Sequence, residues 1–196
     1  MADALLLAAF PPELAGLDAA PPAGWRVALT GVGAVAAAAV TARLLAERRP
    51  SCVLFVGTCG SYDERLPIGT LLSAAEVVAV TQDERAGRAY RPGVEVARWA
   101  ATLPLPLPGQ VVAVTPAITT DPEGARRLGE LAAAEHLELS GVFAACALAG
   151  VPVGGALGVA NRVGPQAHAE WKAHHAAVSR ALAAALAPFL AAGAGP

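Results

Sequence analysis

Neither sign of charge dominates this chain. Its 14 Lys and Arg residues stand against 16 Asp and Glu, a net charge of -2, and the basic residues are scattered. That pattern lacks the electrostatic footprint of a nucleic-acid or anionic-membrane binder, so neither partner is expected. Cysteine is scarce. Cys52, Cys59 and Cys146 lie far apart without metal-ligand spacing, so no metal is expected, and isolated thiols fit small buried side chains in a reducing, cytoplasmic setting. The start of the chain has Asp3 and no basic segment ahead of its apolar run, unlike a secretory signal. One uncharged stretch, 139–160, has the length of a membrane span, but Pro152 and several glycines interrupt it. It reads as a helix, a turn at Gly150 and a strand. Internal repeats, long disordered linkers and a Ser-His-Asp signature are also missing. At 196 residues the chain is expected to form a single domain, 1–196, with a full core.

What is present alternates between short buried strands and alanine-rich helices. Residues 4–10 (ALLLAAF) read as a first strand ended by Pro11-Pro12, with a turn region over 18–24. Residues 25–30 read as a second strand, 31–33 as a turn and 34–47 as a helix stopped by Pro50. A third strand spans 51–56, followed by a glycine-flanked loop over 57–61. Residues 70–81 are β-rich, 82–92 form a charged loop, and 94–101 read as a short helix. The Leu-Pro alternation of 103–108 is a rigid connector, because proline suits neither helix interior nor central strand. A strand at 111–114 leads to a helix that Asp121 and Pro122 start and that runs to about 135. An apolar helix follows over 139–149, and a last helix over 166–187 ends at Pro188. Strand-helix-strand repetition of this kind points to an α/β fold with a largely parallel sheet.

Polar residues gather where the strands end, which is where open α/β sheets bind ligands. Glu13 stands directly after the first strand, either as a first-turn carboxylate favoured by a helix dipole or as a group facing a site. Glu138 opens an apolar helix and has the same two readings. Asn161 ends the buried run VPVGGALGVA, as a turn cap or as a ligand contact. The run GVGAVA (31–36) matches half of a dinucleotide fingerprint, but a strand already precedes it. It reads better as close helix packing, and no cofactor is expected. His168, His174 and His175 read as solvated.

Five segments, LLLAAFPPEL, GVGAVAAA, VLFVGTCGS, HLELSGVFAACALAGVP and LGVANRVG, occur in the order seen in the purine nucleoside phosphorylase and nucleosidase superfamily, and the chain resembles that family over nearly its whole length. It looks most like the hydrolase branch: methylthioadenosine/S-adenosylhomocysteine nucleosidase and, through NRVGPQAHAEW, futalosine hydrolase of menaquinone biosynthesis. The resemblance implies a three-layer α/β/α fold around a twisted mixed, largely parallel sheet, and a homodimer or larger assembly. It also implies roles. Glu13 falls where these enzymes hold the attacking water. Glu138 falls on the glutamate that accepts the ribose hydroxyls, with Leu137 in place of a methionine under the sugar. Asn161 falls where adenine-specific members have an aspartate at the purine N7. Thr58, Cys59 and Gly60 match the glycine-rich loop, and Ile118 and Thr119 match base-pocket residues. His136 departs from the pattern, standing where a glutamate is usual.

The expected ligand is a small-molecule nucleoside, and the residue types suit its chemistry. Cleaving an N-glycosidic bond needs a base for water, a holder for the sugar and a donor to the leaving base. Asn161 can donate but not transfer a proton, which favours a 6-oxopurine riboside over an adenine one. A phosphorylase, the alternative, needs cationic groups for phosphate. Where hexameric phosphorylases carry an arginine before Val56, this chain has Phe55. A non-catalytic nucleoside-binding relative is the third reading.

Overall fold

The structure, a computed structural model, describes residues 3–17, 22–62, 64–92 and 97–193. In chain order its elements are β1 (Ala4–Ala8), a 3-10 turn (Pro11–Leu14), β2 (Trp25–Leu29), α1 (Ala34–Glu47), β3 (Val53–Ser61), β4 (Leu71–Ala79), α2 (Gln82–Arg85), β5 (Ala97–Ala100), β6 (Gly109–Val114), α3 (Pro122–Gly129), β7 (Ala134–His136), α4 (Leu139–Ala149), β8 (Val153–Arg162) and α5 (Ala167–Ala191). Strand β1 is apolar at every position and fully buried, as a strand covered on both faces must be. Its alternation divides the core. Leu5 and Leu7 face a cluster built with α1 and α4, whereas Ala4, Leu6 and Ala8 face one built with Leu182, Leu186 and Leu190 of α5. Helices therefore cover both faces of the sheet in three layers.

The sheet is mixed and largely parallel. Among the described residues β1–β2, β1–β3, β3–β8, β4–β6 and β6–β7 pair in parallel, while β3–β7, β4–β5 and β4–β8 are antiparallel. Strands β3, β8, β4, β6 and β7 thereby close on one another into a ring, with β1–β2 and β5 as extensions. One detail of this closure positions the site. A single edge of β3 is shared by two partners: β1 pairs with 53–55 and β7 with 60–61. Between them the sheet forks, and the backbone at Thr58 is left for another acceptor. β3 and β8 also shift register between Cys59 and Gly60, so Ala160 is the extra residue of a bulge. A bulge re-aims the side chains beyond it, here those of Asn161 and Arg162.

Close packing fixes the helices. A Cβ on Gly141 would lie 2.0 Å from the Ala34 carbonyl oxygen, so α4 and α1 approach backbone to backbone. A Cβ on Gly158 would lie 2.2 Å from Val178 Cγ1, so α5 rests directly on β8.

Several elements differ from the sequence reading. The 57–61 loop is instead the second half of β3. Its glycines read as loop signals but serve a crowded strand, where a Cβ on Gly57 would meet Phe55 and the Glu13 carboxylate at 2.9 and 3.0 Å. The helix expected to reach 135 stops at Gly129, and Ala134–His136 is inserted as a strand between β3 and β6. The expected helix at 94–101 is overturned where it is described: 97–100 pair as an edge strand with β4 and alternate in exposure. Its residues 94–96, like 18–21 of the first turn region, lie outside the described residues. The charged loop contains helix α2, closed by a capping box between Thr81 and Glu84. Helix α5 continues through Pro188 because its last turn is pinned by packing: Trp25 donates to the Leu190 carbonyl at 3.2 Å, its ring lies 6.2 Å from Phe189, and Leu190 is buried. No described helix is long and apolar enough to cross a membrane.

Candidate active site

Glu13 occupies the fork in the sheet. The 3-10 turn that Pro11 and Pro12 enforce carries its carboxylate back under β1. Oε2 accepts from Ala9 N at 3.1 Å, and Oε1 accepts from Thr58 N at 2.8 Å and Thr58 Oγ1 at 3.0 Å. One carboxylate thus satisfies the backbone donors that β1 and β3 no longer give each other. Burial raises its pKa to about 7, and the nearby Glu138 carboxylate adds to the rise, against the lowering effect of these hydrogen bonds. A group titrating near neutrality in a cavity is suited to proton transfer. Trp171 completes the arrangement. Its Nε1 donates to Thr58 Oγ1 at 3.1 Å, so the single Thr58 hydroxyl proton is left to point at Glu13.

Glu138 sits at the N-terminus of α4 without capping it. Its Oε1 instead accepts from Gly33 N at 2.8 Å. The GVG turn has a specific task here: Gly31 and Gly33 take φ of 76° and 92°, values that favour glycine, and this aims the Gly33 N–H at the carboxylate. His136 is buried behind it. Nδ1 accepts from the backbone N–H of Glu138 and Leu139 at 3.1 and 3.3 Å, and the ring meets Phe55 edge-on. Nδ1 also lies 3.2 Å from Glu138 Oε2. Burial lowers the His136 pKa more than Glu138 raises it, so near neutrality this contact is not an ion pair.

These groups line one cavity of about 240 Å³, together with Cys59, Gly60, Ile118, Leu137 and Asn161. The volume is just below the usual range of small-molecule sites, so a compact ligand fits. Asn161 Nδ2 donates to the Arg162 carbonyl at 2.9 Å and lies over Gly60, where an added Cβ would approach it to 2.8 Å. Burial raises the pKa of Cys59 strongly; its thiol stays protonated and cannot act as a thiolate nucleophile. Ile118 is half exposed at the cavity.

Thr119 is the expected site residue that the cavity lining does not include. It is fully buried one layer back, donating from N and Oγ1 to Glu135 at 2.9 and 2.5 Å. Glu135 itself lines the cavity and was missed in the sequence, because it reads as the end of a helix. Phe10, Trp171 and His168 were missed as well. They come from the first turn and α5, and only tertiary packing brings them together: Trp171 lies 5.8 Å from Phe10 and stacks between His168 and His175 at 6.2 and 4.2 Å. His168 is exposed, as read, and stacks on Trp171 from the solvent side, whereas His175 is half-buried in the same stack. Their spacing from Trp171, three and four residues on one helix, was a legible signal.

The sequence pattern of the phosphorylase superfamily matches residues 25–191. No curated relative matches the chain in sequence. Among solved structures, the 5′-methylthioadenosine/S-adenosylhomocysteine nucleosidase of Helicobacter pylori, with butyl-thio-DADMe-Immucillin-A, superposes with a TM-score of 0.84 at 19% identity, over 97% of this chain and 98% of that one. Futalosine hydrolase of Helicobacter pylori gives 0.83 at 19%, over 96% and 97%. The nucleosidase of Neisseria meningitidis in complex with methylthio-immucillin-A gives 0.81 at 16%, over 98% and 100%. At these identities the likeness is one of fold.

Proposed function

The chain belongs to the phosphorylase superfamily, and from that premise we propose that it is a purine nucleoside hydrolase, cleaving the N-glycosidic bond of a 6-oxopurine riboside in the manner of a futalosine hydrolase. The observation that carries the choice of hydrolysis is the charge of the cavity. Glu13, Glu135 and Glu138 line it, and among the described residues no lysine or arginine does. Three carboxylates repel phosphate and suit water as the nucleophile and a sugar as the ligand.

In this reading Glu13, as a carboxylate, takes a proton from water as the water attacks the anomeric carbon. Glu138 keeps acceptor positions beyond the Gly33 N–H for the ribose 2′- and 3′-hydroxyls. Leu137 packs under the sugar, and Thr58 and Trp171 hold Glu13 in place. Asn161 has a second amide hydrogen beyond the one given to Arg162, and it donates to N7 or O6 of the departing base. Such a donor, aimed at developing negative charge, is worth ~3 kcal/mol. Ile118 flanks the base and Thr119 supports the wall behind it. A homo-oligomeric, cytoplasmic enzyme of one domain without a cofactor is part of this reading.

The test is a panel of ribosides, inosine, guanosine, futalosine, adenosine and methylthioadenosine, incubated with and without phosphate and analysed for free base and for the unphosphorylated sugar, which keeps any 5′ substituent of the substrate. Release of base and the unphosphorylated sugar independent of phosphate, with 6-oxopurine ribosides at least ~10-fold preferred, is expected. Release that requires phosphate and yields the sugar 1-phosphate would establish the phosphorylase reading instead.

A further inference from the structure

His136 is a cavity residue that the proposed chemistry leaves without a task. Its ring is fixed twice over. Nδ1 accepts from the backbone N–H of Glu138 and of Leu139 at 3.1 and 3.3 Å, and the ring stands edge-on to Phe55 with centroids 5.2 Å apart. Burial favours the uncharged ring, and a neutral imidazole has one donor and one acceptor nitrogen. With Nδ1 committed as the acceptor, the hydrogen-bond network assigns the proton to Nε2. Among the described residues, Nε2–H has no acceptor in the protein, and the side-chain atoms sealed away without a partner are Thr41 Oγ1, His175 Nδ1 and Ser179 Oγ. His136 is only 4% exposed and lines the cavity, so Nε2–H opens onto it.

The sheet brings that donor to the neighbourhood of Glu13. Phe55, Gly57 and Cys59 alternate along β3 and share one face. A Cβ on Gly57 would lie 2.9 Å from the Phe55 ring and 3.0 Å from Glu13 Oε1. The Phe55 ring therefore borders the Glu13 carboxylate, and it also meets His136. Nδ1 points at the start of α4, so Nε2 points away from it, into the cavity. The other donors there are occupied or weak. The Trp171 indole is given to Thr58, the Thr58 hydroxyl to Glu13, and one Asn161 amide hydrogen to Arg162. The second Asn161 hydrogen is assigned to the base, His168 is exposed, and Cys59 offers only a weak thiol donor. No described lysine or arginine lines the cavity.

We infer that His136 is a further catalytic residue, whose Nε2–H donates to the oxygen of the attacking water while Glu13 accepts one of that water's hydrogens. This rests on the nucleosidase reading above and deepens it. The water oxygen bonds to the anomeric carbon as the glycosidic C–N bond breaks. One water proton passes to Glu13, and the bonding pair leaves with the base. Through that step the oxygen has one lone pair aimed at carbon and one left for a donor, which carboxylates cannot supply. A neutral imidazole suits this use. It holds the water in line with the carbon without adding a positive charge that would recruit phosphate.

The experiment has two parts. His136→Asn keeps an acceptor for the start of α4, as asparagine does at helix N-termini, but its amide is too short to replace Nε2. With folding checked by thermal melting, the variant and the unmodified protein turn over inosine in water and in water–methanol mixtures, and free sugar is measured against methyl riboside. In His136→Asn, kcat is expected to fall by ~10-fold. The share of methyl riboside should rise by ~3-fold or more, because the lost donor no longer selects water and the space left by the ring admits a methyl group. The inosine-to-2′-deoxyinosine ratio of kcat/KM should stay the same. A lowered kcat with an unmoved partition would show that His136 only supports α4, and a shifted ribose-to-deoxyribose ratio would show that Nε2–H is given to the 2′-hydroxyl; either overturns the inference. The second part reads the unmodified protein: the imidazole nitrogens of His136 are observed by 15N NMR, assigned by their absence from His136→Asn. A proton on Nε2 and none on Nδ1 supports the inference, and a proton on Nδ1 overturns it. Phosphate-independent hydrolysis with either test failed leaves the nucleosidase reading standing. If no riboside is hydrolysed, that reading fails and this inference with it.

Discussion

Three side chains carry the proposed reaction, and each gives a separate measurement. Burial moves Glu13 from the ordinary 4.5 of glutamate to about 7. The active form is the carboxylate, so kcat/KM is expected to climb as pH rises to about 7 and level off above it. The same shift has a consequence for stability of opposite sign. Between about 4.5 and 7 the folded protein binds a proton that the unfolded chain has released, so stability falls as pH rises through that window, by about 3 kcal/mol in all. Glu13→Gln should lower kcat by ~100-fold or more with KM nearly unchanged, and should also flatten the pH dependence of denaturant unfolding between pH 4.5 and 7. A variant of normal turnover would remove Glu13 from the mechanism. Glu138→Ala is expected to cost ribosides much more than 2′-deoxyribosides; equal losses in kcat/KM would show that it does not touch the 2′-hydroxyl. Asn161→Asp introduces a group able to accept from a 6-amino substituent. The inosine-to-adenosine ratio of kcat/KM should fall in the variant, and the assignment of Asn161 to the base is wrong if the unmodified protein cleaves methylthioadenosine as readily as any 6-oxopurine riboside.

At the scale of the elements, the site depends on how two strands separate and on what one helix brings to the gap. The fork between β1 and β7 along β3 exposes the Thr58 N–H, and α5 supplies the Trp171 indole that orients the Thr58 hydroxyl. Trp171→Phe keeps the aromatic packing against Phe10 and His175 but deletes the indole donor. The Thr58 hydroxyl is then free to turn from Glu13. The variant is expected to lose roughly 3- to 10-fold in kcat, in line with one neutral hydrogen bond, with the pH midpoint of kcat/KM displaced upward because a hydrogen bond to the charged form of Glu13 weakens. An unchanged midpoint together with unchanged kcat would show that the Trp171 contact only packs. The glycines of β3 were misread as a loop for a reason that belongs to this scale. Local propensity records that glycine is flexible, but not that neighbouring side chains fill the space its missing Cβ leaves. Trp171 and His175 were legible as one helical face, whereas the link from Trp171 through Thr58 to Glu13 was not, since nothing local relates 171 to 58 or 13.

Over the whole molecule, the position of α5 on β8 links stability to the site, because α5 carries Trp171. Gly158→Ala would place a Cβ 2.2 Å from Val178 Cγ1. Overpacking of this kind costs about 1–3 kcal/mol; a lower melting temperature is expected, with Val178→Ala in the same chain restoring most of it. Destabilisation that Val178→Ala fails to relieve would mean that the helix and strand are not in the contact described. The sequence by itself determined the class of fold and the order of most elements. The fully apolar β1, the GVG turn into α1 and the apolar α4 announce themselves through composition and period, which are local properties of the chain. It also marked Glu13, Glu138 and Asn161, because polar residues that end buried runs stand out against them. Only the tertiary structure decided that β3, β8, β4, β6 and β7 close into a ring, that 97–100 and 134–136 are strands, and that Glu135 faces the cavity while Thr119 stands behind it. Those outcomes depend on strand pairings and contacts between residues 16 to more than 100 positions apart. A short segment such as β7 takes its conformation from the two strands it joins, and its three residues are too few to express a period of their own.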